Sequence, residues 1–311
     1  MAQKTILLTG AGGCLGTTVQ RSAAHASSIH LIPKTHRALN ITDPQAVIDC
    51  LEAVRPHYVL NAAAFSNVDK AELDPQEAAA LNVQAVRNLV QACARTGAVL
   101  MHISTDYVFD GRDASAPDGV RCRPYAESDA THPLGVYGVT KWEGEQEVLA
   151  YERGIVFRVS WLYDQEGRNF LSSIPRLLAA KAQEAGRPPL MVESLQRSAP
   201  TYAPHLVEAL FEAARQGMRH GLYHACGTGG CSRLAFACAV QNALRHAGVD
   251  VVPAIPLADA PNGAPSALQG ADRPMYSVMS SALLSHTLGV SIPTWEEGAQ
   301  ALVNAFTKRN Q

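Results

Sequence analysis

The sequence predicts an α/β fold: a Rossmann-like doubly wound parallel sheet with a smaller C-terminal substrate-binding domain. Three observations carry this. Over the first 160 residues, short apolar runs alternate with helical patterns, as parallel strands between covering helices do. A glycine-rich turn, Gly10-Ala11-Gly12-Gly13-Cys14-Leu15-Gly16, follows the first apolar run and opens a helix. Beyond residue 160 the rhythm loosens, and Pro and Gly gather in 185–205 and 253–274. The expected division is a dinucleotide-binding domain over 1–160, rejoined by a segment of about 195–226, and a mainly substrate-binding domain over 161–311.

Each element has a local reason. Thr5 to Leu8 reads as a buried strand, followed by the glycine turn and a helix to about Ala24. Ile29 to Ile32 is a second strand. Asp43-Pro44 is an N-cap followed by proline at the first helical position. Tyr58-Val59-Leu60 is a third strand. Asp74-Pro75 opens another helix by the same device, with Ala80, Leu81, Val86, Leu89 and Val90 at helical spacing. Val99 to Ile103 is a fourth strand, 137–152 a helix, and Val156 to Val159 a further strand. Helices are expected at 169–183, 204–216, 232–247 and 295–307. Gly221 to His224 reads as one more strand, and Ala260 to Gly270 as a mobile surface loop.

Composition narrows the class. The 311 residues carry a formal net charge of -2, with 47% hydrophobic and 17% charged residues. That is an ordinary globular balance. Near-neutral charge argues against nucleic acid or a membrane surface as partner, since both need a cationic field. No apolar run approaches the roughly 20 residues that span a bilayer. Seven scattered cysteines without a CxxC pair fit reduced thiols, and the N-terminus enters a strand at once, so a cytoplasmic setting is expected. His102, His205, His220 and His224 form no metal-ligand spacing, so no metal is expected; His102, inside a strand, reads as a core histidine.

Three motifs carry chemistry. Gly10-x-x-Gly13-x-x-Gly16 permits a tight turn, close approach of a pyrophosphate, and tight helix–strand packing at a helix N-terminus. The region after the second strand holds Lys34 and Arg37 and no carboxylate, which suits a 2′-phosphate and favours NADPH, with NADH not excluded. Tyr137 and Lys141 are four apart and share a helix face. A cation beside a phenol favours phenolate and tunes it for proton transfer. Thr105 ends the fourth strand at the ligand-binding edge of an open sheet, where its hydroxyl can bond a substrate carbonyl. Cys14 has no histidine partner and reads as a small filler, not a nucleophile.

With Asn61-Ala62-Ala63-Ala64, these motifs resemble the extended short-chain dehydrogenase/reductase superfamily. Further segments are similar to the dTDP-4-dehydrorhamnose reductase family: Val68 to Glu72, Ser104 to Gly111, Pro124-Tyr125-x-Glu127-x-Asp129, Pro133 to Gly138, Arg158-x-Ser160-Trp161-x-Tyr163, Gly167-x-Asn169-Phe170, Pro200 to Ala203 and Arg273-Pro274. The resemblance implies an NADPH-dependent reduction of the C4 ketone of a nucleotide-linked deoxysugar, with dTDP-4-dehydro-L-rhamnose the leading substrate. Thr105, Tyr137 and Lys141 would be the catalytic group. Tyr137 would give the proton, Lys141 would hold the nicotinamide ribose and tune Tyr137, and Thr105 would orient the carbonyl. Gly10, Gly13, Cys14, Leu15 and Gly16 would seat the pyrophosphate, with Lys34, Arg37, Asn40, Ala62 and Ala63 as further cofactor contacts. Val68, Asp69, Thr105, Asp106, Tyr107 and Trp161 would line the substrate; for Trp161 a core role is the competing reading.

The chain departs from the family pattern in places. Asn40 stands where an acid near the adenine is usual, Gly135 where an Asn precedes the catalytic Tyr, and His205 where an acid follows the Thr-Tyr-Ala run. The loop from Gly111 to Pro124 is long and is expected near the mouth of the site. A dehydratase or 4-epimerase is an alternative, although Asp106-Tyr107 after Thr105 lacks the acid that dehydratases carry. A non-catalytic regulatory role, as in the methionine adenosyltransferase beta subunit, is another. The resemblance leaves a homodimer open.

Overall fold

The computed structural model describes residues 3–113, 119–166, 169–257 and 270–309. Gly167, residues 114–118 of the long loop, and residues 260–269 of the expected surface loop lie outside the described residues.

The chain runs β1 (Lys4–Thr9), α1 (Cys14–Ala23), β2 (Ile29–Lys34), α2 (Pro44–Val54), β3 (Tyr58–Asn61), α3 (Val68–Leu73), α4 (Pro75–Ala79), a π-helical segment (Ala80–Gln84), α5 (Ala85–Thr96), β4 (Val99–Thr105), a 3₁₀ turn (Asp106–Val108), α6 (Val136–Leu149) and β5 (Gly154–Val159). It continues through β6 (Leu162–Tyr163), α7 (Phe170–Ala182), β7 (Leu190–Val192), β8 (Arg197–Ser198), β9 (Thr201–Tyr202), α8 (Ala203–Gln216), β10 (Gly221–His224), β11 (Cys231–Ser232), α9 (Arg233–His246), β12 (Ala254–Pro256), α10 (Ala282–Leu288) and α11 (Trp295–Arg309).

Six strands form one parallel sheet in the order β10-β5-β4-β3-β1-β2. From β1 the chain goes to β2 on one side and then to β3 on the other. The connections diverge there, which opens a crevice beyond the carboxyl ends of β1 and β3. The period of two along β1 divides the core. Ile6 and Leu8 pack with Leu15 and Val19 of α1 and Leu206 and Leu210 of α8. Leu7 faces the other layer, with Val47 and Leu51 of α2 and Leu89 of α5. A separate core gathers Ile174 of α7, Phe236 of α9 and Val303 of α11 around Tyr163. Both α8 and α10 contribute to the sheet's core, through Leu206 and Leu284 among others, and β10 pairs with β5.

Local signals account for the helix starts. Asp43 accepts from the N–H groups of Gln45 and Ala46 at 3.0 and 3.1 Å, and Pro44 begins α2. Asp74 accepts from Glu77 N–H at 2.9 Å at the start of α4. The helix it opens does not run on uninterrupted, because the π-helical segment intervenes. Asn82 in that segment is buried and bonds both the N–H and the carbonyl of Phe65, at 2.9 and 3.1 Å, and the Thr140 hydroxyl at 3.1 Å. A Cβ on Gly144 would lie 2.2 Å from the Asn82 carbonyl oxygen, so α6 packs directly on this backbone. Among the described residues, no helix is long and apolar enough to cross a membrane.

Candidate active site

The glycine turn lies at the carboxyl end of β1. Gly10 has φ +69, and a Cβ there would sit 2.6 Å from the Ala62–Ala63 backbone. A Cβ on Gly16 would sit 2.2 Å from the Gly10 carbonyl oxygen. These two positions need glycine for packing, whereas a Cβ on Gly12 meets nothing and faces open space. Gly13 is the N-cap of α1 and brings no side-chain cap; no acid lies in the first turn, so no carboxylate there offsets the positive end of the helix dipole. Cys14 and Leu15 begin α1, with Leu15 buried. Lys34 closes β2, and its carbonyl accepts from Ala11 N–H at 3.2 Å, so it stands beside the glycine turn. Arg37 follows on the exposed connection. Among the described residues, neither cation is paired with a carboxylate. The Asn40 side-chain oxygen is used locally, accepting from the N–H and hydroxyl of Thr42 at 3.2 and 2.9 Å.

The second cluster lies where β4 ends and α6 begins. The Thr105 hydroxyl accepts from Tyr107 N–H and donates to Asp106 Oδ1, both at 3.2 Å, and it lies beside the Tyr137 hydroxyl. The Tyr107 ring meets that of Tyr137 edge-on, with centroids 5.8 Å apart. Burial pushes the Tyr137 phenol well above its ordinary value, opposed by the Thr105 bond. Lys141 is 2% exposed. Its Nζ donates to the Ile103 carbonyl at 2.7 Å and lies 3.1 Å from His102 Nε2. Burial pushes this ammonium down to about 8, with Glu145 opposing. The expected stabilisation of phenolate by Lys141 is therefore not what this arrangement provides. Both polar partners of Lys141 are on β4, and desolvation keeps the phenol protonated. Glu145 accepts two bonds from Arg158, at 2.9 and 2.7 Å, and both side chains are buried, which ties α6 to β5.

Two substrate candidates turn out to be engaged in the framework. Asp106 is 2% exposed, and its Oδ2 accepts from the hydroxyls of Ser160 at 3.0 Å, Ser198 at 2.9 Å, and Ser277. The carboxylate thus points into a ring of serines from three segments, and burial raises its pKa despite them. Asp69 grips Arg273 through two bonds of 2.8 Å and accepts from Ala271 N–H at 3.0 Å, joining α3 to the segment after residue 270. Val68 beside it is half-buried at the start of α3. Tyr107 lies near the Arg273 guanidinium. Trp161 is half-buried and adopts φ +39, a strained value for a bulky residue, between β5 and β6. The Arg233 guanidinium covers its ring at 4.7 Å from the centroid. Arg121 of the long loop is buried and turned inward, paired with Asp129 and stacked 3.7 Å over the Tyr125 ring.

Gly135 caps α6 with no side chain, and the cap comes from elsewhere: Glu72 Oε1 accepts from Val136 N–H at 2.8 Å. A side chain at 135 would meet that same oxygen, with a Cβ at 2.5 Å. Asn61 enters the sequence reading only as part of a motif, and its bonds to Thr9 and His102 are new. Asn82 is a polar group inside an apolar pattern, and that is the signal it offers. His102 was read only as core, and Arg233 gives no local signal, since its partner Trp161 is remote in the chain.

Comparison with known proteins agrees with this geometry. A family model described as "RmlD substrate binding domain" matches residues 4–308. A dTDP-4-dehydrorhamnose reductase of Mycolicibacterium smegmatis is 36% identical over 312 residues, covering 98% of this chain and 86% of the relative. One from Escherichia coli is 32% identical over 310 residues, covering 96% and 97%. The crystal structure of a dTDP-4-dehydrorhamnose reductase from Bacillus anthracis in complex with NADP superposes with a TM-score of 0.80 at 29% identity, covering 97% of this chain and 98% of that one. A strand-end Thr105, a Tyr137–Lys141 helix face and a glycine crevice in one sheet edge thus coincide with end-to-end similarity, and the chain belongs to the dTDP-4-dehydrorhamnose reductase family.

Proposed function

We propose that this chain reduces the C4 ketone of a nucleotide-linked deoxysugar with NADPH, converting dTDP-4-dehydro-L-rhamnose to dTDP-L-rhamnose. The observation that carries the reading is the juxtaposition of the Thr105 and Tyr137 hydroxyls at the carboxyl end of β4, beside the glycine crevice. Gly10, Gly13 and Gly16 hold the pyrophosphate against α1, and Lys34 and Arg37 receive the 2′-phosphate. NADPH, when bound, supplies the hydride. Hydride arrival leaves an alkoxide on the C4 oxygen, and the Tyr137 hydroxyl gives it a proton. A phenol held protonated by burial is in the right state for that step. Thr105 shares the same oxygen and orients it.

The dehydratase alternative loses support here, because Asp106 is committed to Ser160, Ser198 and Ser277 and is not free to act as an acid on substrate. The test is turnover of NADPH with dTDP-4-dehydro-L-rhamnose, with product identified. Tyr137→Phe should bind NADPH normally and lose roughly 10²–10⁴-fold in kcat, about 3–5 kcal/mol of barrier. No turnover in the unmodified protein, or an undiminished rate in Tyr137→Phe, rejects the reading.

A further inference from the structure

His102 lies on β4 with no exposed surface. Its ring stands between two partners: Asn61 Nδ2 is 3.0 Å from Nδ1, and Lys141 Nζ is 3.1 Å from Nε2. A further contact fixes the Asn61 amide. The Ala63 N–H can only donate, and it meets Asn61 Oδ1 at 3.2 Å; the Thr9 hydroxyl meets the same oxygen at 2.6 Å. The other end of the amide is therefore the NH₂, a donor, and His102 Nδ1 must offer it a lone pair. A neutral imidazole has one proton, which then sits on Nε2 and faces Lys141.

An ammonium has no lone pair to receive that proton. A neutral amine has one, and with it both contacts are matched: Nε2–H donates to Nζ, and Nζ donates onward to the Ile103 carbonyl at 2.7 Å. With an ammonium, donor meets donor at Nε2. Moving the ring proton to Nδ1 only transfers the conflict to Asn61.

We infer that His102, oriented by Asn61, is a positioning residue that sets the proton affinity of Lys141, so that cofactor binding is coupled to proton uptake at Lys141. This rests on the cofactor reading above. An NADPH ribose brings hydroxyl oxygens that an ammonium can use as acceptors, which offsets the mismatch with His102. The proton comes from solvent and adds to the Nζ lone pair; nothing is oxidised or reduced. Lys141 is already pushed down to about 8, and burial with Lys141 nearby holds His102 well below its ordinary value. Tyr137 and Glu145 flank Lys141 on α6, and Glu145 is neutralised by Arg158 of β5. Of the other elements packed on α6, Asp106 of the 3₁₀ turn is bonded to serines, Glu72 of α3 caps the helix, Glu77 of α4 is exposed, and Arg87 of α5 pairs with Glu147.

The test combines nitrogen NMR of the His102 ring in the cofactor-free protein with calorimetric titration of NADPH near pH 8 in buffers of different ionisation enthalpy. The expected result is a neutral ring with Nε2 protonated and Nδ1 bare, and uptake of a sizeable fraction of a proton per NADPH. Asn61→Asp replaces the donor with an acceptor. The ring proton then moves to Nδ1, the Nε2 lone pair faces an ammonium, and uptake falls at least several-fold while NADPH still binds. His102→Phe should lose the uptake too. Should that variant not fold, Asn61→Asp and the spectrum of the unmodified protein decide alone. An Nδ1-protonated ring in the unmodified protein, or undiminished uptake in Asn61→Asp, overturns the inference. Failure of NADPH to bind the unmodified protein overturns the cofactor reading and the coupling with it, whereas the ring's tautomer is read without cofactor.

Discussion

Lys141→Met should make the cofactor-free protein more stable at neutral pH. A lysine with an ordinary value of 10.5 is held at about 8 by burial. That difference corresponds to roughly 3 kcal/mol, the cost of keeping the ammonium in its slot relative to the unfolded chain. Methionine fills much of the same volume without charge. It forfeits the bond to the Ile103 carbonyl, worth about 1–2 kcal/mol. The net gain at pH 7 is therefore on the order of 1–2 kcal/mol. Between about 8 and 10.5 the unfolded chain still binds the proton and the folded protein does not. Stability of the unmodified protein therefore rises through that window, and the methionine variant lacks the rise. Its advantage shrinks above pH 8 and is gone by about pH 10. Urea unfolding of both proteins from pH 7 to about pH 10 at fixed ionic strength, without cofactor, measures this, and the difference between them cancels the other titrating groups. A variant less stable at pH 7, with a difference that does not move with pH, refutes the burial argument.

NADPH should exceed NADH at least several-fold in kcat/KM, and Lys34→Ala with Arg37→Ala should erode the preference while NADH use stays nearly constant; steady-state kinetics with both cofactors checks this. Glu72→Ala should cost about 1 kcal/mol by uncapping α6, and adding Gly135→Asn should recover most of it, because the only atom in the way of a side chain at 135 at close range belongs to Glu72. Chemical denaturation of the single and double variants reads the recovery. Trp161→Ala should weaken sugar-nucleotide binding about tenfold and leave NADPH titration unchanged; a falling Tm with intact sugar binding would instead assign the ring to the core.

The parts of the site that could be read from the sequence are those whose causes are local. Gly10 and Gly16 are required by contacts within the turn and with the next strand's end, so their spacing alone announces the crevice. Asp43-Pro44 and Asp74-Pro75 cap the helices they precede within three residues. Period-two alternation in β1 sends Ile6 and Leu8 one way and Leu7 the other, and the doubly wound sheet follows from it. The two-residue strands β6, β8, β9 and β11 are too short to show any period. The π-helical segment was hidden for a different reason: its apolar spacing is nearly that of an α-helix, and only the buried Asn82 betrays it.

What stayed illegible is the assignment of roles among neighbouring acids and bases. Asp69 and Asp106 both sit next to the site in sequence and both invite a substrate role. Each is claimed by a partner 171 to 204 residues away, Ser277 for one and Arg273 for the other. Tyr137-x-x-x-Lys141 likewise suggests a cation tuning a phenol, because four residues make one helical turn. Helical spacing fixes the face, not the rotamer of a long side chain, and Lys141 reaches partners on β4 and not the phenol. The same side chain thus has one set of partners without cofactor, the Ile103 carbonyl and the His102 ring, and under the proposed cofactor reading would gain ribose oxygens as acceptors. Its buried position costs stability in the first state, and that cost is what a bound ribose can relieve. The pH-dependent stability of Lys141→Met therefore reads the cost of burying the ammonium, and proton uptake on cofactor binding reads how much of that cost the cofactor relieves.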